Sequence, residues 1–173
     1  MSDREQKRAQ FDTRKSPGRK LLLPLLALVV VAAAAGFAWL LLPGQMTGPS
    51  LVEAGSDGTV RFAKAGFTDG KARFYRYQGQ HGVIDFFLVQ SRDGVIRAAF
   101  DSCDVCYKEL KGYRQEGAEM ICNNCDQRFK TNLVNVVKGG CNPAPLERRQ
   151  VGDEVVIAAA AIEKGAGYFA GFN

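Results

Sequence analysis

Residues 100–146 read FDSCDVCYKELKGYRQEGAEMICNNCDQRFKTNLVNVVKGGCNPAPL, and they hold all five cysteines of the 173-residue chain. Cys103 and Cys106 form one C-x-x-C pair, Cys122 and Cys125 form a second, and fifteen residues lie between the pairs. This is the spacing of a four-cysteine metal site. Two residues between cysteines let one tight turn aim both sulfurs at one ion, and two such turns carried by a pair of hairpins complete a tetrahedron. Four thiolates on a divalent ion leave negative charge behind, so backbone N–H donors are expected beside the sulfurs. Disulfides are the rival in an oxidising compartment, although an odd number of cysteines forbids complete pairing. A thioredoxin-like dithiol ranks third, because no helical pattern begins at either pair to lower a thiol pKa.

The flanking residues narrow the chemistry. Tyr107 and Asp126 follow the two pairs, so neither pair is a C-x-x-C-H haem attachment. A standard metal knuckle wants a residue that tolerates φ > 0 after its second cysteine. Asp126 tolerates it and Tyr107 does so poorly, which predicts a non-standard first turn. Cys141 sits in Lys138-Gly139-Gly140-Cys141-Asn142-Pro143. It reads either as a buried turn thiol or as a fifth ligand, whose thiolate Lys138 and the glycine N–H groups would favour. His81 reads as a surface-loop residue, Asp101 and Asp104 as solvated turn residues, and Tyr107 and Tyr113 as cover for the site.

Outward from the cysteines the sequence is strand-like. Ala72–Tyr77 is aromatic-rich, and Val83–Val89 and Val95–Phe100 are apolar runs joined by Ser91-Arg92-Asp93-Gly94, a hairpin signal. Glu154–Ile162 reads as a strand, although its four alanines also suit a short helix. The tail GAGYFAGFN reads as loose, or packed only through Tyr168, Phe169 and Phe172. The expectation is a small β-rich (α+β) domain over 59–173, with a four-cysteine metal-binding hairpin pair supplementing a modest core.

The N-terminal part has a different character. Residues 1–20 carry seven basic and three acidic side chains, a net of +4, while 21–42 (LLLPLLALVVVAAAAGFAWLLL) carry no charge. A helix of 22 such residues covers roughly 33 Å, enough for a bilayer core. It is too long for a typical cleaved signal peptide, and its basic flank places the N-terminus in the cytoplasm. Residues 43–58 read as a Gly-, Pro- and Ser-rich linker, leaving the domain outside the inner membrane, in the periplasm. The pI near 9.0 belongs to the tail, so the globular part offers no argument for nucleic-acid binding. A single His excludes sites with two His ligands.

The stretch from Phe100 resembles the bacterial family of FtrD-like membrane iron–sulfur containing proteins over roughly 60–172. The most specific matches are Phe100-Asp-Ser-Cys-Asp-Val-Cys-Tyr107, Gly112-Tyr-Arg-Gln-Glu-Gly117, Cys122-Asn-Asn-Cys125 and Lys138-Gly-Gly-Cys-Asn-Pro-Ala-Pro-Leu146. The resemblance implies a membrane-attached protein in which Cys103, Cys106, Cys122 and Cys125 hold an iron–sulfur cluster or iron, with Cys141 as a further family cysteine. It also implies partnership with an iron permease or a periplasmic iron-binding protein. Many members carry several membrane spans, whereas this chain shows one. The leading expectation is therefore an electron-transfer or metal-handling accessory of iron transport rather than an enzyme. Zinc or copper is the alternative cofactor, since thiolates accept either. The competing functions are a structural zinc docking module and a thiol–disulfide oxidoreductase.

Overall fold

The computed structural model describes residues 48–171. The span expected at 21–42 lies outside the described residues, and among those described no helix is long and apolar enough to cross a membrane. Ten strands run in chain order: β1 (Ser50–Val52), β2 (Thr59–Ala63), β3 (Arg73–Gly79), β4 (Gly82–Gln90), β5 (Ile96–Phe100), β6 (Tyr113–Glu116), β7 (Glu119–Cys122), β8 (Arg128–Lys130), β9 (Arg149–Val151) and β10 (Glu154–Ala158). One α-helix, α1 (Ala159–Glu163), follows β10.

These strands form three sheets. The central one has the order β1-β3-β4-β5, and two three-stranded sheets, β2-β10-β9 and β6-β7-β8, complete the set. β3, β4 and β5 pair antiparallel in sequence order, while β1 adds to the edge in parallel from within the stretch read as linker. The Ser91–Gly94 segment makes the expected hairpin turn. Gly94 takes φ 78°, its N–H reaches Ser91 O at 2.9 Å, and the Asp93 carboxylate accepts the Val95 N–H at 3.1 Å.

β4 explains why the chain supports layers on both faces of this sheet. Its run Phe86-Phe-Leu-Val89 is apolar at consecutive positions rather than alternate ones, as a strand covered on both sides requires. Ile84, Phe86 and Leu88 enter one core with Val60, Phe62, Val155 and Ile157 of the β2-β10-β9 sheet. Phe87 and Val89 enter a second core with Tyr113, Met120, Cys103 and Cys122, against the β6-β7-β8 sheet. The metal-type cysteines are thus part of a packed layer.

The C-terminal reading resolves into both of its alternatives. Glu154–Ala158 is strand, paired to β2 and β9, and the alanines then turn into α1. The Gly-rich tail is not loose over its described part. Ala166–Tyr168 form a 3-10 turn, and Tyr168 and Phe169 pack on the first core. Gly165 allows this close approach, because a Cβ there would run into the Phe100 ring. Phe172 lies outside the described residues.

Candidate metal centre

Three chain segments converge to bring the sulfurs together. β5 ends at Phe100 and hands the chain directly to Cys103 and Cys106. Cys122 ends β7 and pairs with Tyr113 of β6, and Cys125 lies in the turn from β7 to β8. Cys141 arrives from a long loop whose exit runs back along β5. There Phe100 N–H donates to Ala144 O (2.8 Å), Ala144 N–H to Ser102 O (2.9 Å), and Ala99 bridges Pro145. The Asn135 amide fastens the loop by donating to Leu146 O (2.8 Å) and Ala98 O (3.1 Å).

Only one of the two C-x-x-C turns lies on a hairpin. In the β7–β8 turn, Asp126 N–H returns to Cys122 O (2.9 Å), Cys122 N–H reaches Gln127 O (3.0 Å), and Asp126 takes φ 56° as a knuckle demands. The first pair instead leads into a 3-10 turn at Tyr107–Glu109 that ends with Leu110 at φ 52°. Tyr107 stays out of the left-handed region, which is taken up three residues later by Leu110. An expected N–H donor is present: Cys106 N–H points at Cys103 Sγ, 3.2 Å away.

The sulfurs form two sets. Those of Cys103, Cys106 and Cys122 lie within 4.8 Å of one another, and so do those of Cys106, Cys125 and Cys141. Cys106 belongs to both, and its sulfur is 3.8 Å from that of Cys141. Cys122 and Cys125 do not share a three-sulfur set, so the second pair reaches toward both. Cys103 and Cys122 are buried, Cys106 and Cys141 half-buried, and Cys125 exposed. A cavity too small for an organic ligand lies at the first set, walled by Ser102, Leu110, Gly112 and Tyr113. All five cysteines are free thiols here.

The surroundings of the sulfurs depart from the sequence reading in several places. Asp101 is not a solvated turn residue. Its carboxylate is enclosed, accepts the Tyr113 N–H at 2.7 Å, and is pushed up to about 7 by burial. It lies so close to Gly112 that any Cβ there would collide with it. Asp104 accepts the Tyr168 hydroxyl (2.7 Å), which ties the C-terminal turn to the first cysteine loop. That bond, with burial, lifts the Tyr168 phenol to about 12. Tyr113 does cover the site. It is buried, packs on Phe87 and Phe129, and donates its hydroxyl to Cys141 O at 2.7 Å. Tyr107 stacks edge-on against Tyr168. His81 is exposed in the β3–β4 turn.

Cys141 lies against other sulfurs, with that of Cys106 at 3.8 Å. Burial, and then hydrogen bonding and charge from Cys125 and Cys106, push its thiol well above the ordinary range. Neighbouring thiols compete for negative charge when no ion lies between them. Gly139 and Gly140 both take positive φ (83° and 63°), so the pair is used for a left-handed turn that returns Cys141 to the cluster.

Sequence reasoning missed the residues that latch the second turn. Asn123 donates from its amide to Lys111 O (2.8 Å) and accepts Arg114 Nη1 (3.1 Å), and Arg114 also pairs with Asp126 (2.9 Å). Lys111 Nζ reaches Asn124 Oδ1 at 2.9 Å. Two of these residues are the x-x of C-x-x-C, which was the available signal.

Clustered thiols on hydrogen-bonded turns, with N–H···S support and a small cavity beside them, define a cysteine-rich β domain compatible with metal binding. The chain belongs to the family of FtrD-like membrane iron–sulfur containing proteins, whose model matches residues 67–169. No curated protein and no solved structure matches the chain. The family is membrane-associated, and an iron–sulfur group is what its name implies. The donor type suits that group, since iron–sulfur centres are held by thiolates and five thiols converge here.

Proposed function

We propose that this protein is a single-pass inner-membrane protein, anchored by 21–42, with its β domain in the periplasm. Its cysteine centre passes electrons to, or handles metal for, an iron permease or a periplasmic iron-binding protein. Cys103, Cys106, Cys122 and Cys125 hold the iron–sulfur or metal centre, with Cys141 as a further ligand. When bound, the group supplies one-electron chemistry. The chain's own part is to hold the sulfurs, supply N–H donors and limit water.

The observation that carries this reading is the convergence of five thiols from three separate segments onto one place, inside a matched membrane iron–sulfur family. Convergence of this kind places like-charged groups together, and an ion offsets that cost. The exposure of Cys125 supports an electron-transfer or metal-handling role, because it gives the centre a contact with solvent and therefore with a partner.

The test is anaerobic purification of the full chain in detergent from cells grown with iron, followed by iron, zinc and acid-labile sulfide analysis and visible absorption. We expect bound iron with thiolate-to-iron absorption, lost in Cys103→Ser and Cys122→Ser. Zinc alone at full occupancy, with no iron under any growth condition, would replace this reading with the structural zinc module.

A further inference from the structure

We infer that the five cysteines form a thiolate-bridged two-ion centre, with Cys106 as the bridge. One ion is retained at Cys103, Cys106 and Cys122, and one is exchangeable at Cys106, Cys125 and Cys141. The inference rests on the reading above that these cysteines hold metal, and it specifies how many ions they hold and which sulfur joins them.

The geometry comes first. A tetrahedral ion with metal–sulfur bonds of about 2.3 Å keeps its thiolates roughly 3.8 Å apart. The Cys106–Cys141 separation is 3.8 Å, and each three-sulfur set closes within 4.8 Å. The second set thus holds a pair at ion-sharing distance, and both sets are compact enough to close on one ion each. A four-iron cube would place each thiolate on its own iron and spread the sulfurs farther apart. A single ion on the four C-x-x-C cysteines would need Cys125 grouped with Cys103 and Cys122, whereas Cys125 is grouped with Cys106 and Cys141. The five sulfurs divide as two triangles with one common corner, and that corner is Cys106.

Charge points the same way. Five thiolates on one divalent ion leave three uncompensated negative charges in a partly buried site, and two divalent ions leave one. A bridging thiolate is shared by two positive neighbours, which suits the most crowded sulfur of the five. The two positions differ in access. Cys103 and Cys122 close the first set into the second core, and Cys125 opens the other set to solvent. Each ion takes two terminal thiolates and the bridge, so a fourth position remains for an outside ligand. At the exposed set that position can be reached, which makes its ion the exchangeable one.

The experiment is a Co²⁺ titration of the reduced, metal-free full chain in detergent, kept anaerobic. Thiolate-to-cobalt absorption counts bound ions, and electron paramagnetic resonance reports coupling between them. We expect saturation at two Co²⁺ per chain and at least about a two-fold loss of signal per cobalt as the second ion binds through the shared sulfur. EDTA should then remove one ion at least about ten-fold faster than the other. Cys141→Ser and Cys125→Ser should each bind one Co²⁺ that EDTA removes slowly, and Cys106→Ala should abolish the coupling. Because Cys125 is exposed, its variant tests the inference even where substitution of a buried cysteine disrupts folding. Saturation at one Co²⁺, two uncoupled spins, or equal removal rates would overturn the two-ion centre while leaving the metal-binding reading standing. Absence of any thiolate-bound cobalt would overturn both.

Discussion

Asp101 accepts the Tyr113 N–H and lies against Gly112, so one carboxylate pins the start of the cysteine loop to the start of β6. Nothing in Phe100-Asp101-Ser102 marks it as enclosed, because an Asp after a strand is ordinarily a turn residue. The partner lies twelve residues on, and only tertiary structure brings it close. Asp57 is the opposite case, legible from Ser-Asp-Gly-Thr in the sequence as a turn residue ahead of β2. Its carboxylate accepts Thr59 N–H (3.0 Å) and pairs with Arg61 (2.8 Å). Those partners, Arg61 foremost, hold its pKa at about 2 against an ordinary 3.8. Between those values the folded state binds fewer protons than the unfolded one. The stabilisation is therefore present in full above about pH 4 and is lost as pH falls through about 2. Urea midpoints of wild type and Asp57→Asn should differ at pH 5 and converge toward pH 2, and a constant gap across that range would show the contact to be silent.

β4 was visible as an element, and its neighbours were visible too, because β-branched and aromatic runs broken by an Asp-Gly turn are strong local signals. Its double burial was also encoded, in the four consecutive apolar residues Phe86–Val89 and in Ile84. What the run could not say is which sheet covers which face. Phe87 faces the cysteine layer and Phe86 the other core. Phe87→Ala should cost about 3–5 kcal/mol by the cavity it leaves and should weaken metal retention, whereas Phe86→Ala should cost a similar amount and leave the metal stoichiometry unchanged. Thermal unfolding with metal analysis separates the two. At the C-terminal turn, Gly165→Ala should overpack the Phe100 ring and cost about 1–3 kcal/mol, read as a lowered urea midpoint with an unchanged slope. The sequence predicts a pair of hairpins at the site but a non-standard first C-x-x-C turn, and the first turn is not on a hairpin. Tyr107 signalled the difference, and the left-handed residue of this turn is Leu110 rather than the one after the second cysteine.

Over the described residues the molecule carries two cores on either side of one sheet, and only one of them contains cysteines. Metal removal should therefore act unevenly. In hydrogen exchange, a chelator should raise rates across 101–142 by at least about ten-fold and leave β2 and β10 protected, because their core contains no cysteine. Uniform deprotection would instead mean that the centre holds the whole domain together. The amino-acid sequence by itself determined the strands around the Asp-Gly turn, the β-rich class, the cysteines as the chemical centre and the family. These depend on local periodicity, turn chemistry and spacing, which are properties of neighbouring residues. Tertiary structure alone decided that the second C-x-x-C divides between two sulfur sets and that Cys106 stands in both. It also decided that Asp101 is enclosed and that Cys141 returns along β5 to within 3.8 Å of Cys106. Those relations join residues 12 to 46 positions apart, and no local pattern specifies the direction in which a side chain meets another segment of the chain.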